Sequence, residues 1–158
     1  AMPFQEPDVL TRELYDESFE MLLPAEHPWA ACKEVDSTTL SETQLLLLGE
    51  GHCFRDQVLE ACPTLNQSMH EQHTVMEGSS LETIRMMVAS GLGASVLPSS
   101  AVQNSHYRSD MVVTRPFKAP GPRRTVAVAW RASFPRPQAI DVLVQAISRC
   151  QLLGNKGN

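Results

Sequence analysis

Residues 44 to 61 read Gln44-Leu45-Leu46-Leu47-Leu48-Gly49-Glu50-Gly51-His52-Cys53-Phe54-Arg55-Asp56-Gln57-Val58-Leu59-Glu60-Ala61. The leucine run predicts a strand from Gln44 to Leu48 that is covered on both faces, because a short continuous apolar run bounded by turn residues has no polar side to show to water. Gly49-Glu50-Gly51 turns the chain, and a helix is predicted from about Cys53 to Ala61. A buried strand feeding a helix through a tight turn is the unit of an α/β fold, and it sets Cys53 at a strand-to-helix junction.

The same alternation extends in both directions. Phe19 to Leu23 reads as a strand, and Thr74 to Glu77 as another. Ser79 and Glu82 form a capping-box pair opening a helix through Met86, Met87 and Ser90, which Gly91 stops. Ala94 to Leu97 is a short strand closed by Pro98, and a small helix runs from Pro98 to Val102. Met111 to Val113 and Thr125 to Trp130 follow as strands, separated by a loop at Lys118-Ala119-Pro120-Gly121-Pro122. Pro137 to Leu152 reads as a helix with Ile140, Leu143, Val144 and Ile147 at helical spacing. The sheet is expected to be mostly parallel. Residues 1 to 15 show neither a clear strand nor a clear helix, so the chain is expected to be a fragment; Ala1-Met2 reads as an expression scar.

Composition narrows the function. The 158 residues are 42% hydrophobic and 20% charged, long enough to bury a core without metal or disulfide staples, and no apolar run approaches a membrane span. A net charge of -5 and a pI near 5.5 argue against a nucleic-acid grip by this chain, which would need a basic face. The four cysteines, Cys32, Cys53, Cys62 and Cys150, form no CxxC pair. With no secretory signal, reduced thiols and a cytoplasmic location are expected. No cofactor motif is read.

Cys53 carries the chemistry. At a helix N-terminus, unpaired N–H groups and the helix dipole favour an anion. His52 and Arg55 add positive potential, and the thiolate is the species that attacks a peroxide to give sulfenic acid. The competing reading is a small buried residue filling a gap, as most free cysteines do. Cys62, nine residues on, supplies a second thiol. Nine helical steps put the two on opposite faces and about 13.5 Å apart along the axis, whereas a disulfide needs Cα atoms within about 7 Å. A bond between them would require the helix to unwind or move. Pro63 biases Cys62 towards the fraying end, although a core role for Cys62 stays open on spacing alone. His70, Glu71 and His73 carry only a weak metal reading. Cys32 and Cys150 read as ordinary thiols, and Met86 and Met87 as helix packing. Arg123-Arg124 are either solvated or able to reach an anion such as a thiolate.

Gly51-His52-Cys53-Phe54-Arg55-Asp56-Gln57 followed by Cys62 closely resembles the redox loop of the hydrogen-peroxide-sensing LysR-type transcription regulators. Ser80 to Ala89, Gly91-Leu92-Gly93, Leu97-Pro98 and Pro122-Arg123-Arg124-Thr125 continue that resemblance, which runs from about Met21 to the end. It implies a periplasmic-binding-protein-like (type 2) regulatory domain with two Rossmann-like lobes. Residues of about 20–115 would form mainly the second lobe and about 116–153 the return to the first, whose N-terminal part would be absent. It also implies a disulfide between Cys53, the peroxide-reactive residue, and Cys62, the resolving one. His52, Arg55, Asp56 and Arg124 would surround the thiolate and the peroxide, and Leu81, Ile84, Arg85 and Val88 would lie in a dimer interface. The expected partners are a homodimer or homotetramer in the full-length protein, promoter DNA and RNA polymerase through a DNA-binding domain absent from this chain, and glutaredoxin or thioredoxin as reductant. Membrane partners and enzymatic turnover are not expected.

Two other readings compete. One is a LysR-type effector domain that clasps a small-molecule inducer while its cysteines are incidental. The other is a thiol peroxidase, ranked last because no thioredoxin-like or peroxiredoxin-like site is present.

Overall fold

From Glu17 onward, strand β1 (Val9–Pro24) alternates with a period of two. Glu17, Phe19, Met21 and Leu23 share one face and are all buried, while Leu22 is buried on the other. A strand with apolar side chains on both faces must lie between two covering layers. The computed structural model, which describes residues 2, 6–65, 76–103 and 110–150, supplies both.

The leucine run shows how. Leu45 and Leu47 join Phe19, Met21 and Leu23 in one core cluster, whereas Leu46 and Leu48 join Leu22 and Leu97 in the other. Helix α1 (Cys53–Ala61) covers the first cluster with Val58, and helix α2 (Leu81–Ala89) covers the second with Ile84 and Val88. Full burial of each such side chain is worth roughly 1.5–3 kcal/mol, so both faces hold the layers together.

Strand β2 (Leu46–Leu48) pairs in parallel with β3 (Met76–Gly78), and Leu45 bridges Ala94 in parallel. Strand β1 runs antiparallel to β4 (Ser95–Pro98) and β5 (Val112–Pro116) through its second half. Its first half pairs antiparallel with β6 (Arg123–Arg131). Short helix α3 (Ser99–Gln103) follows β4, and helix α4 (Pro137–Arg149) closes the described chain.

Four sequence expectations change. The four-stranded sheet built on β1 is antiparallel throughout, and parallel pairing is confined to the two-stranded β2–β3 sheet and isolated bridges; strand direction depends on how the chain connects, which a strand's own pattern does not encode. The stretch through Tyr15 is not shapeless, since residues from Val9 onward form the first half of β1. A register shift between Glu13 and Tyr15 interrupts the period of two and hides the strand. The cap of α2 is Ser80, whose hydroxyl accepts from the Thr83 N–H at 3.1 Å, and not Ser79 one residue earlier. On α4 the expected apolar face is only partly covered: Ile140 is buried, but Leu143 is exposed. Thr74, Val75, Leu152 and the tail from Gly154 to Asn158 lie outside the described residues.

Candidate functional site: the two cysteines of helix α1

The turn after β2 fixes the entry to α1. Gly51 sits at φ +87°, in the left-handed region that only glycine adopts without strain. His52 then takes an extended conformation at the N-cap and makes no side-chain cap hydrogen bond. Cys53 is the first helical residue, and both it and His52 are exposed. Backbone N–H groups of a first helical turn lack intrahelical partners, so the thiol stands where an anion is favoured and where solvent reaches it.

At the other end, Cys62 is the C-cap of the same helix, and its N–H donates to the Val58 carbonyl at 2.9 Å. Its side chain is 1% exposed and belongs to the first core cluster. Burial pushes the Cys62 thiol up from 9.0 to about 12, because the low-dielectric surroundings disfavour the charged form. Both cysteines are free thiols, as are Cys32 and Cys150.

The charged residues divide. Arg55 is buried and turned inward: its Nη1 donates to the Leu48 carbonyl at 2.9 Å and to Glu77 Oε1 at 2.8 Å. It therefore pins α1 to the ends of β2 and β3. Asp56 is exposed on the first turn. Arg124 on β6 reaches α1, where its Nη1 donates to Gln57 Oε1 at 3.1 Å and its Cζ lies 5.6 Å from the centroid of the Phe54 ring. Gln57 is one turn beyond Cys53 on the same helix face, so Arg124 is anchored beside the end that carries Cys53. The rest of its guanidinium binds Glu17, with Nε at 2.8 Å and Nη2 at 2.7 Å from Oε2.

Sequence reasoning assigned no role to Glu17, Gln57 or Glu77. A signal existed for Glu17, which falls in phase with Phe19, Met21 and Leu23; an acidic residue at an inward strand position demands a cationic partner. Burial alone would raise its carboxyl, but hydrogen bonds from Ser100 and Arg124 outweigh that and hold it below the usual range.

Of the residues expected at an interface, Ile84 and Val88 face this chain's own core, since the apolar stripe of α2 is what seals the second cluster. Leu81 is half-buried against the same cluster. Arg85 pairs with Glu82 and donates to the Ala101 carbonyl. The exposed side chains of α2 are those of Glu82 and Met86. His70, Glu71 and His73 lie outside the described residues, among which no group of three or more potential metal ligands occurs. No described helix is long and apolar enough to cross a membrane.

A family model of the LysR substrate binding domain matches residues 1–151. The chain belongs to that family, and within it to the OxyR-type, hydrogen-peroxide-responsive regulators. The reduced form of the OxyR regulatory domain from Pseudomonas aeruginosa is 62% identical, with a TM-score of 0.81 over 94% of this chain and 70% of that one. A hydrogen-peroxide-bound cysteine-to-serine mutant of OxyR from Corynebacterium glutamicum is 27% identical, with a TM-score of 0.82 over 94% of this chain and 47% of that one. Among curated relatives, a probable hydrogen peroxide-inducible genes activator of Streptomyces viridosporus is 36% identical over 93% of this chain. The chain spans 46% of that relative's length, about half.

Proposed function

We propose that this chain is the redox-sensing regulatory part of a peroxide-responsive transcription regulator, with Cys53 as the reactive thiol and Cys62 as the thiol that traps its oxidised form. One observation carries the reading: a single nine-residue helix bears an exposed cysteine at its uncapped start and a buried one at its end.

The chemistry proceeds in two steps. The Cys53 thiolate attacks one oxygen of hydrogen peroxide; the S–O bond forms, the O–O bond breaks, and hydroxide leaves to be protonated. The sulfur is oxidised to sulfenic acid as the peroxide is reduced. The Cys62 sulfur then attacks the sulfenic sulfur; the S–S bond forms, the S–O bond breaks, and water leaves with the Cys62 proton. A thiol reductant of the glutaredoxin or thioredoxin kind reverses the bond by exchange.

The second step cannot occur across an intact α1, which holds its ends about 13.5 Å apart and keeps the Cys62 thiol protonated in the core. Oxidation is therefore coupled to unwinding of α1, and that bistable element is the signal. Promoter binding, assembly into dimers or tetramers and contact with RNA polymerase fall to the full-length protein, whose DNA-reading part would feel the change through the regulatory domain.

One equivalent of peroxide is expected to remove two thiols from the chain, mapped by peptide mass to Cys53 and Cys62. Cys62→Ser is expected to stop at a sulfenic acid on Cys53. If peroxide leaves both thiols free, the sensor reading fails and an effector domain with incidental cysteines replaces it.

A further inference from the structure

We infer that Glu17 is a positioning residue for the peroxide reaction, holding the Arg124 guanidinium so that Nη1 faces the side of α1 that carries Cys53. This rests on the sensor reading above and extends it to a residue on a different strand.

The carboxylate is 2% exposed, in the middle of a strand. A buried charge without partners is costly, and Glu17 is held by Arg124 and by both the backbone and the side chain of Ser100. Oε2 receives both Nε and Nη2 of Arg124, and Oε1 accepts the Ser100 N–H at 3.0 Å. Glu17 and Arg124 are also direct cross-strand partners in the β1–β6 register. Two guanidinium nitrogens are thus fixed on one oxygen, while the carboxylate itself is fixed from the far side by α3.

That leaves Nη1 as the edge aimed at α1, where Gln57 receives it and the Phe54 ring lies against the guanidinium. Both residues belong to the first turns of α1, immediately beside Cys53. Glu17 is bonded to Arg124 and Ser100, and of these only Arg124 reaches α1, so its effect passes through Arg124. A guanidinium held in place stabilises negative charge on the attacking sulfur and on the departing hydroxide without reorganising during the reaction. Without the carboxylate, a side chain that is already 23% exposed would be free to turn into solvent.

The test measures sulfenic acid formation on Cys53 across pH in the Cys62→Ser chain, alone and combined with Glu17→Gln or Glu17→Asp. Glu17→Gln is expected to slow the reaction at neutral pH on the order of 100-fold, as misplacing a catalytic group does. It is also expected to move the pH profile of the rate upward, as removing a nearby cation from an attacking anion does. Glu17→Asp, which keeps the charge on a shorter stem, is expected to restore the pH midpoint and part of the rate. A purely structural role would lower stability but leave the rate and pH profile of the folded protein unchanged, and that result overturns the inference; so does a faster reaction in Glu17→Gln. Should Glu17→Gln not fold, a wild-type rate in Glu17→Asp overturns it, and a reduced rate with an unmoved midpoint supports it. An inert Cys53 in the Cys62→Ser chain with Glu17 intact removes the sensor reading itself.

Discussion

The two ends of α1 are built in opposite ways from the same residue type. At its start, an extended His52 leaves the helix uncapped by any side chain, and Cys53 is exposed beside it. At its end, Cys62 packs with Phe19, Met21, Leu23 and Val58 in the core. The first end is open to a small oxidant and contributes little packing. The second is closed to solvent and belongs to the hydrophobic framework. A sensor needs both properties, because a reactive thiol with an equally accessible partner would form its disulfide with no structural consequence. In the proposed mechanism, chemistry becomes a conformational signal because the second sulfur has to leave the core.

The comparison breaks most severely if the core around the Cys62 end is opened. Phe19 is 1% exposed and packs edge-on against Phe54 of α1, with ring centroids 5.7 Å apart. Phe19→Ala is expected to destabilise the chain by about 3–5 kcal/mol, read as a lowered urea midpoint. A thiol reagent should also modify Cys62 much sooner, so that both ends of α1 behave alike. Unchanged protection of Cys62 would show that the closed end does not depend on this packing.

The next effect is a pH dependence. In the folded, reduced chain Cys62 keeps its proton up to about pH 12, while in the unfolded chain it ionises near its ordinary value of 9.0. Above that value the unfolded state binds fewer protons than the folded one, so stability falls as pH rises. It is fully present below about pH 9 and declines by about 1.4 kcal/mol per pH unit between the two values. Comparing urea midpoints of the wild type and Cys62→Ala at pH 8 and pH 10.5 isolates this slope from other groups that titrate there. The two proteins should lose stability at different rates, and equal slopes would place the thiol in a wetter site than the structure gives it.

Which parts of this could be read from the sequence follows from which were local. The leucine run, the Gly51 turn and the span of α1 depend on neighbours in sequence, and they appear where the pattern puts them. The first half of β1 was hidden because its bulge sets Glu13 and Tyr15 out of phase. Strand direction was missed because it depends on which distant strand lies alongside. Arg55 shows the same limit in the site. A helix arginine beside a reactive cysteine suggests a charge offered to the thiol, yet its guanidinium is drawn inward by the Leu48 carbonyl and by Glu77, twenty-two residues later in the chain. Arg124 was legible from the residues only as an arginine that could reach an anion, a role sharpened by family resemblance, and the Glu17 that holds it only through the phase of a strand whose beginning could not be seen.

The smallest effect on stability is expected at Cys53, the residue on which the proposed function depends most. Cys53→Ser replaces an exposed side chain at a first helical position, where substitution changes stability by less than about 0.5 kcal/mol. The urea midpoint should therefore match that of the wild type. Peroxide should then leave the Cys62 thiol intact, since without Cys53 no sulfenic acid forms for Cys62 to attack and Cys62 itself stays buried and protonated. A Cys62 that still oxidises at the wild-type rate would mean that the core end is open without prior chemistry at Cys53, and the asymmetry of α1 would no longer explain how oxidation is signalled.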